Sequence, residues 1–120
     1  MLPKKYKLPS YLIPQVLAKG QRHRFPKFIL IVSRLQDLAL FKPLPRAVYV
    51  CVIIPAKVVK KAYKRNKIKR QYYAIISTLV NKIRLNYIVI FLAKKSGMRK
   101  NEVITKTEVE TALTKLYLIN

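Results

Sequence analysis

AVYVCVIIPAKVVKKAYKRNKIKRQYYAIISTLVNKIR, residues 47–84, holds a strand, a breaker and a helix in one stretch. Residues 47–54 are almost wholly β-branched, aromatic or small apolar, and Pro55 ends the run because it has no N–H to give to a ladder. Residues 57–84 contain neither Gly nor Pro and predict one long helix. At 100° per residue, Ile68, Tyr72, Ile75, Ile76, Leu79 and Ile83 fall in one arc, a core stripe. Lys61 and Arg65 project onto the same meridian. The stripe therefore turns cationic in its first half, and that half is expected to leave the core.

Working outward, residues 28–33 (FILIVS) and 87–92 (YIVIFL) read as further strands. Ser10 opens a short helix to about Lys19, with Leu12, Ile13, Val16 and Leu17 inward, an irregular first turn at Pro14, and Gly20 placed for a left-handed cap. Thr105 or Thr107 caps a last helix through Leu118, with Val109, Ala112, Leu113 and Leu116 inward. Residues 21–27 read as a polar connection. Residues 34–46 read as an exposed connection with one helical turn at 38–41, and residues 1–8 as a flexible basic arm. The whole is one domain, 1–120, of the α+β class: a two-layer sandwich whose sheet carries its helices mainly on one face.

The 120 residues carry 26 Lys+Arg against 4 Asp+Glu, a formal charge of +22, with 52% hydrophobic residues. That hydrophobic content supports a core, while the charge demands an anionic partner, phosphate or lipid. Cys51 is the single cysteine and His23 the single histidine, so disulfides, cysteine-rich zinc sites and paired-histidine metal sites are excluded. Four acids make a paired-carboxylate mechanism untenable, and no catalytic or metal-ligating residue is assigned. The longest apolar runs fall well short of the roughly 18 residues a membrane span needs. With no signal-peptide pattern, the expectation is a cytoplasmic protein with no membrane and no evident protein partner.

Residues 57–70 carry eight cations: Lys57, Lys60, Lys61, Lys64, Arg65, Lys67, Lys69 and Arg70. No acid occurs between Asp37 and Glu102 to pair with them. Lys60, Lys64 and Lys67 share a side at i, i+4, i+7, and the others point elsewhere around the helix. Such a distribution suits insertion among phosphates better than a flat membrane, which needs a continuous apolar face opposite the charge. Asn66 adds an amide for phosphate, sugar or base edge. Tyr72 packs on the stripe, while Tyr63 and Tyr73 fit either base stacking or partial packing. Cys51 reads as a small hydrophobe. Charge alone does not distinguish DNA from RNA.

The segment from Pro55 to Arg70 resembles the signature of the bacterial ribonuclease P protein subunit, V-S-K-K-x-G-x-A-V-x-R-N-R-x-K-R. Lys57, Ala62, Arg65, Asn66, Ile68, Lys69 and Arg70 match it, and Lys67 stands for an arginine. The pattern's serine, second lysine and glycine are Ala56, Val58 and Lys60 here. Residues 16–20 (VLAKG), 28–30 (FIL) and 86–90 (NYIVI) are similar to other family stretches. The resemblance implies a sandwich of the ribosomal protein S5 domain 2-like type, order α-β-β(-β)-α-β-α, with a left-handed βαβ crossover. It implies a subunit of a ribonucleoprotein endoribonuclease that binds the catalytic ribonuclease P RNA and the 5′ leader of precursor tRNA. The RNA, using Mg²⁺, would perform the hydrolysis, and the protein would bind no cofactor strongly. Carried over by position, Arg65, Asn66, Lys67, Lys69 and Arg70 would contact the catalytic RNA, and Lys57 would flank the cleft between the sheet and the first helix. Ile13, Leu17, Phe28 and Ile31 would line a leader cleft, the usual aromatics being largely replaced by aliphatic residues. Two other readings fit the composition: a non-catalytic ribosomal or other structural RNA-binding protein, and a cationic membrane-surface protein.

Overall fold

Strand β3 (Tyr49–Ile53) forms where the β-branched run predicts it, and it lies parallel to β4 (Tyr87–Ala93), register Tyr49↔Ile88 through Ile53↔Leu92. The structure, a computed structural model, describes residues 4–38, 47–94 and 104–119. β4 also pairs antiparallel with β2 (Phe28–Arg34), and β2 pairs antiparallel with β1 (Gln21–Arg24), giving a four-stranded sheet of order β1-β2-β4-β3. Helix α1 (Ile13–Lys19) precedes β1, α2 (Ala62–Leu79) joins β3 to β4, and α3 (Lys106–Lys115) follows β4.

β1 (QRHR) lies in the stretch that reads as a polar connection. It has no apolar residue, so its ladder comes from hydrogen bonds to β2 rather than from burial of its own side chains. The central strands are buried on both faces, which is why they read as unbroken apolar runs. On one face Phe28, Leu30, Val50, Val52, Val89 and Phe91 pack against Tyr72, Ile76 and Leu79 of α2 and Val109, Ala112 and Leu113 of α3. The other face is not bare. Val16 of α1 and Leu12 of the 3-10 turn before it (Ser10–Leu12), with Leu8, Leu35 and Leu38, cover Ile31, Tyr49, Ile88 and Ile90.

Several boundaries depart from the sequence reading. Residues 57–61 are not helical: the Val58 and Val59 amides bond back to the Pro55 carbonyl (2.9 and 3.0 Å), so the chain turns once before α2 begins. α2 ends at Leu79 in a 3-10 turn, Val80–Lys82. Within α2 only Tyr72, Ile76 and Leu79 are buried, so the cationic first half does leave the core. Residues 4–8, expected as a flexible arm, are docked. Lys7 bridges Val50, the Leu8 amide donates to the Val50 carbonyl (3.3 Å), and the Tyr6 hydroxyl donates to Asn81 Oδ1 (3.2 Å). The segment after β2 buries Leu35 and Leu38 around a 3-10 turn at Leu35–Asp37; the helical turn expected at 38–41 extends beyond the described residues.

Gly20 is not left-handed (φ −67°, ψ 154°). Its reason is space: a Cβ there would sit 2.6 Å from the Val16 carbonyl oxygen and 2.7 Å from Ile31 Cγ2. Gly20→Ala is therefore expected to lower stability by about 1–3 kcal/mol, since α1 must shift off the sheet; equal denaturation midpoints would refute this.

Thr105 caps α3 in a reciprocal box with Glu108, whose Oε1 also accepts from Lys27 Nζ (3.0 Å). Burial alone would raise the Glu108 carboxyl, but the bonds from Lys27 and Thr105 outweigh it and hold it below the usual range. A depressed folded-state pKa stabilises above the unfolded value of about 4.3 and loses that contribution as pH falls through the folded value. The stability gap between wild type and Glu108→Gln is expected to narrow in denaturant titrations between pH 7 and acid pH. A gap that widens on acidification would contradict the assignment.

Candidate nucleic-acid interface

The cations of residues 57–70 divide into three sets. Lys57, Lys60 and Lys61 are exposed on the segment that enters α2, so Lys60 does not continue the helical row of Lys64 and Lys67. Lys64, Asn66, Lys67 and Arg70 are exposed on the outer side of α2. Arg65 and Lys69 are half-buried on the flank nearer the core. Among the described residues the salt bridges are Lys27–Glu108 and Arg34–Asp37, both outside this surface. The start of α2 has no side-chain cap and no acid in its first turn, so the positive helix end adds to the lysines around it. Tyr63 is exposed with Lys61 Nζ 5.9 Å from its ring centroid, while the Tyr73 hydroxyl accepts the Val52 amide (3.1 Å) and closes part of the β3 edge.

Of the four residues expected in a leader cleft, Ile13, Leu17 and Ile31 share one sheet face and Phe28 does not. Ile13 and Leu17 are half-buried on α1 and flank the second face. Ile31 lies beneath α1 with 0% exposure. Phe28 is on the opposite face, stacked on Phe91 (5.5 Å, 5°) and edge-on to Tyr72 (6.2 Å). Strand periodicity is the cause: positions 28 and 31 differ by an odd number and face opposite ways. The open part of the second face is instead the row Ile53–Leu92–Ile29, with Cys51 beside it, all half-buried. Arg24, paired with Ile29 and exposed, ends that row on β1. Arg22 Nη2 donates to the Leu17 carbonyl (3.2 Å) and ties α1 to the same strand. Strand parity from Ile31 points to Ile29, whereas Leu92 and Ile53 follow only from the register of β4 and β3. Arg24 carried no signal, because β1 itself did not.

Burial pushes the Cys51 thiol up, only partly offset by the charge of Lys69, so it stays a neutral thiol. Among the described residues no three His, Cys, Asp or Glu side chains are grouped to hold a metal ion, and no helix is long and apolar enough to cross a membrane.

The fold and the site together define a small, strongly basic four-stranded α/β domain, with exposed cations around the start of α2 and a row of half-buried aliphatic residues on the second sheet face. The chain belongs to the ribonuclease P protein family, whose model, described as Ribonuclease P, matches residues 2–117. It is 36% identical over 64 residues to the "Ribonuclease P protein component" of Fusobacterium nucleatum subsp. nucleatum; the match takes in 53% of this chain and 58% of that protein's length. Its fold is similar to that of the Staphylococcus aureus RNase P protein, with a TM-score of 0.76 and 16% identity over 96% of this chain and 98% of that one. For the Thermotoga maritima RNase P protein the TM-score is 0.69, at 16% identity over 92% and 93% of the two chains.

Proposed function

We propose that this chain is the protein subunit of a ribonuclease P, a cytoplasmic ribonucleoprotein endonuclease that frees the mature 5′ end of tRNA. The observation that carries the reading is the outer set Lys64, Asn66, Lys67 and Arg70, with Lys57, Lys60 and Lys61, exposed and in no salt bridge among the described residues, in a chain of this family. These side chains neutralise phosphates of the catalytic RNA; each contact releases counterions, so affinity comes with a steep salt dependence. The aliphatic row, walled by α1 and ended by Arg24, holds the 5′ leader of precursor tRNA by apolar contact and charge rather than by ring stacking. Mg²⁺ carried by the RNA supplies the hydrolytic chemistry. The part of this chain's residues is to bind and orient.

Reconstitution with a ribonuclease P RNA and precursor tRNA at low Mg²⁺ tests the reading. The protein should restore cleavage and make the leader-bearing substrate bind more tightly than mature tRNA. Cleavage and leader dependence both unchanged by the protein would overturn it.

A further inference from the structure

Arg65, in the first turn of α2, does not point its whole guanidinium outward. Its Nη1 donates to two backbone carbonyls, those of Val59 (2.9 Å) and Lys60 (2.7 Å). Both belong to the segment between β3 and α2, which carries Lys57, Lys60 and Lys61. The segment's other ties are few: the Val58 and Val59 amides bond to the Pro55 carbonyl, and the Lys61 carbonyl accepts from the Lys64 and Arg65 amides. Three like charges over five residues repel one another, and no side-chain cap holds the helix start. A charged donor serving two carbonyls opposes that repulsion more strongly than a neutral one would. The two hydrogens on one nitrogen each reach a carbonyl, which a shorter ammonium side chain cannot reproduce with the same geometry.

We propose that Arg65 is a positioning residue: it clamps the backbone of residues 59–60 so that Lys57, Lys60 and Lys61 meet RNA phosphates as a preformed set. The functional half of this inference rests on the RNA-binding reading above; the clamp itself does not. Pre-organisation makes affinity depend on Arg65 only while the three lysines are present to be positioned.

Two measurements on the full chain test it. In the free protein, amide hydrogen exchange at Val58 and Val59 should accelerate about tenfold or more in Arg65→Ala and Arg65→Lys, with the β4 amides of Ile90 and Phe91 unchanged as a control of folding. Unchanged exchange at Val58 and Val59 overturns the clamp. With the ribonuclease P RNA as probe, Arg65→Ala should weaken binding about tenfold in the native background, and less than about threefold where Lys57, Lys60 and Lys61 are already glutamine. Equal losses in both backgrounds, each with the salt slope reduced by about 0.7–0.9, would mean a direct phosphate contact and overturn the positioning role. Should the native protein not bind that RNA at all, the RNA-binding reading fails, and the exchange result alone decides the clamp.

Discussion

Replacing Lys57, Lys60, Lys64, Lys67 and Arg70 together with glutamine is expected to weaken binding to ribonuclease P RNA on the order of a thousandfold at about 0.1 M salt. All five are exposed, and none is in a salt bridge among the described residues. The slope of log affinity against log salt should become shallower by roughly 0.7 to 0.9 for each RNA phosphate that the variant no longer neutralises. The fold should survive, because the buried part of α2 begins at Tyr72. Lowering the formal charge from +22 to +17 also relieves self-repulsion. Affinity and salt slope close to native in this variant would mean that the RNA sits elsewhere. A collapse of thermal stability would mean that these cations hold the protein's own structure together.

Phe28→Ala is expected to cost about 3–5 kcal/mol of stability, the range for removing a fully buried aromatic. Phe28 is 2% exposed and contacts Phe25, Phe91 and Tyr72 at ring separations of 5.6, 5.5 and 6.2 Å. Its neighbour supplies the contrast. The Tyr72 hydroxyl is buried without a hydrogen-bond partner among the described residues, and burial drives its pKa upward, keeping it neutral. Tyr72→Phe removes an unsatisfied polar atom and keeps the ring, so it should be neutral or stabilising by about 1 kcal/mol. Denaturant unfolding of both variants checks the pair. A Phe28→Ala protein of native stability that no longer binds the leader would restore Phe28 to the cleft and contradict its place in the core.

What the sequence made legible follows from burial. β2, β3 and β4 stood out because both their faces are covered, and the second half of α2 stood out because its stripe meets the core without interruption. β1 was hidden, since a cationic edge strand stabilised by its neighbour's backbone leaves no hydrophobic pattern. The start of α2 was placed too early because helix propensity alone cannot show that the Pro55 carbonyl claims the Val58 and Val59 amides. Gly20 was legible as special, but for a left-handed turn rather than for the contact with Val16 and Ile31 that demands it. The basic surface was readable residue by residue, for charge with no nearby acid does not depend on the exact fold. The cleft was not, because it requires knowing which face of each strand looks outward. Arg65 shows the same limit: its charge was evident, whereas its two bonds to the Val59 and Lys60 carbonyls exist only once the turn after Pro55 is formed.

Proximity crosslinking reads directly whether the outer side of α2 touches RNA. A photoactivatable group attached at Lys67→Cys, or at Thr111→Cys on the exposed side of α3, both in a Cys51→Ser background, would be assembled with ribonuclease P RNA. Efficient crosslinks to the RNA from position 67 and few from position 111 are expected. Crosslinks equal at the two positions, or confined to position 111, would contradict an RNA-binding role for α2.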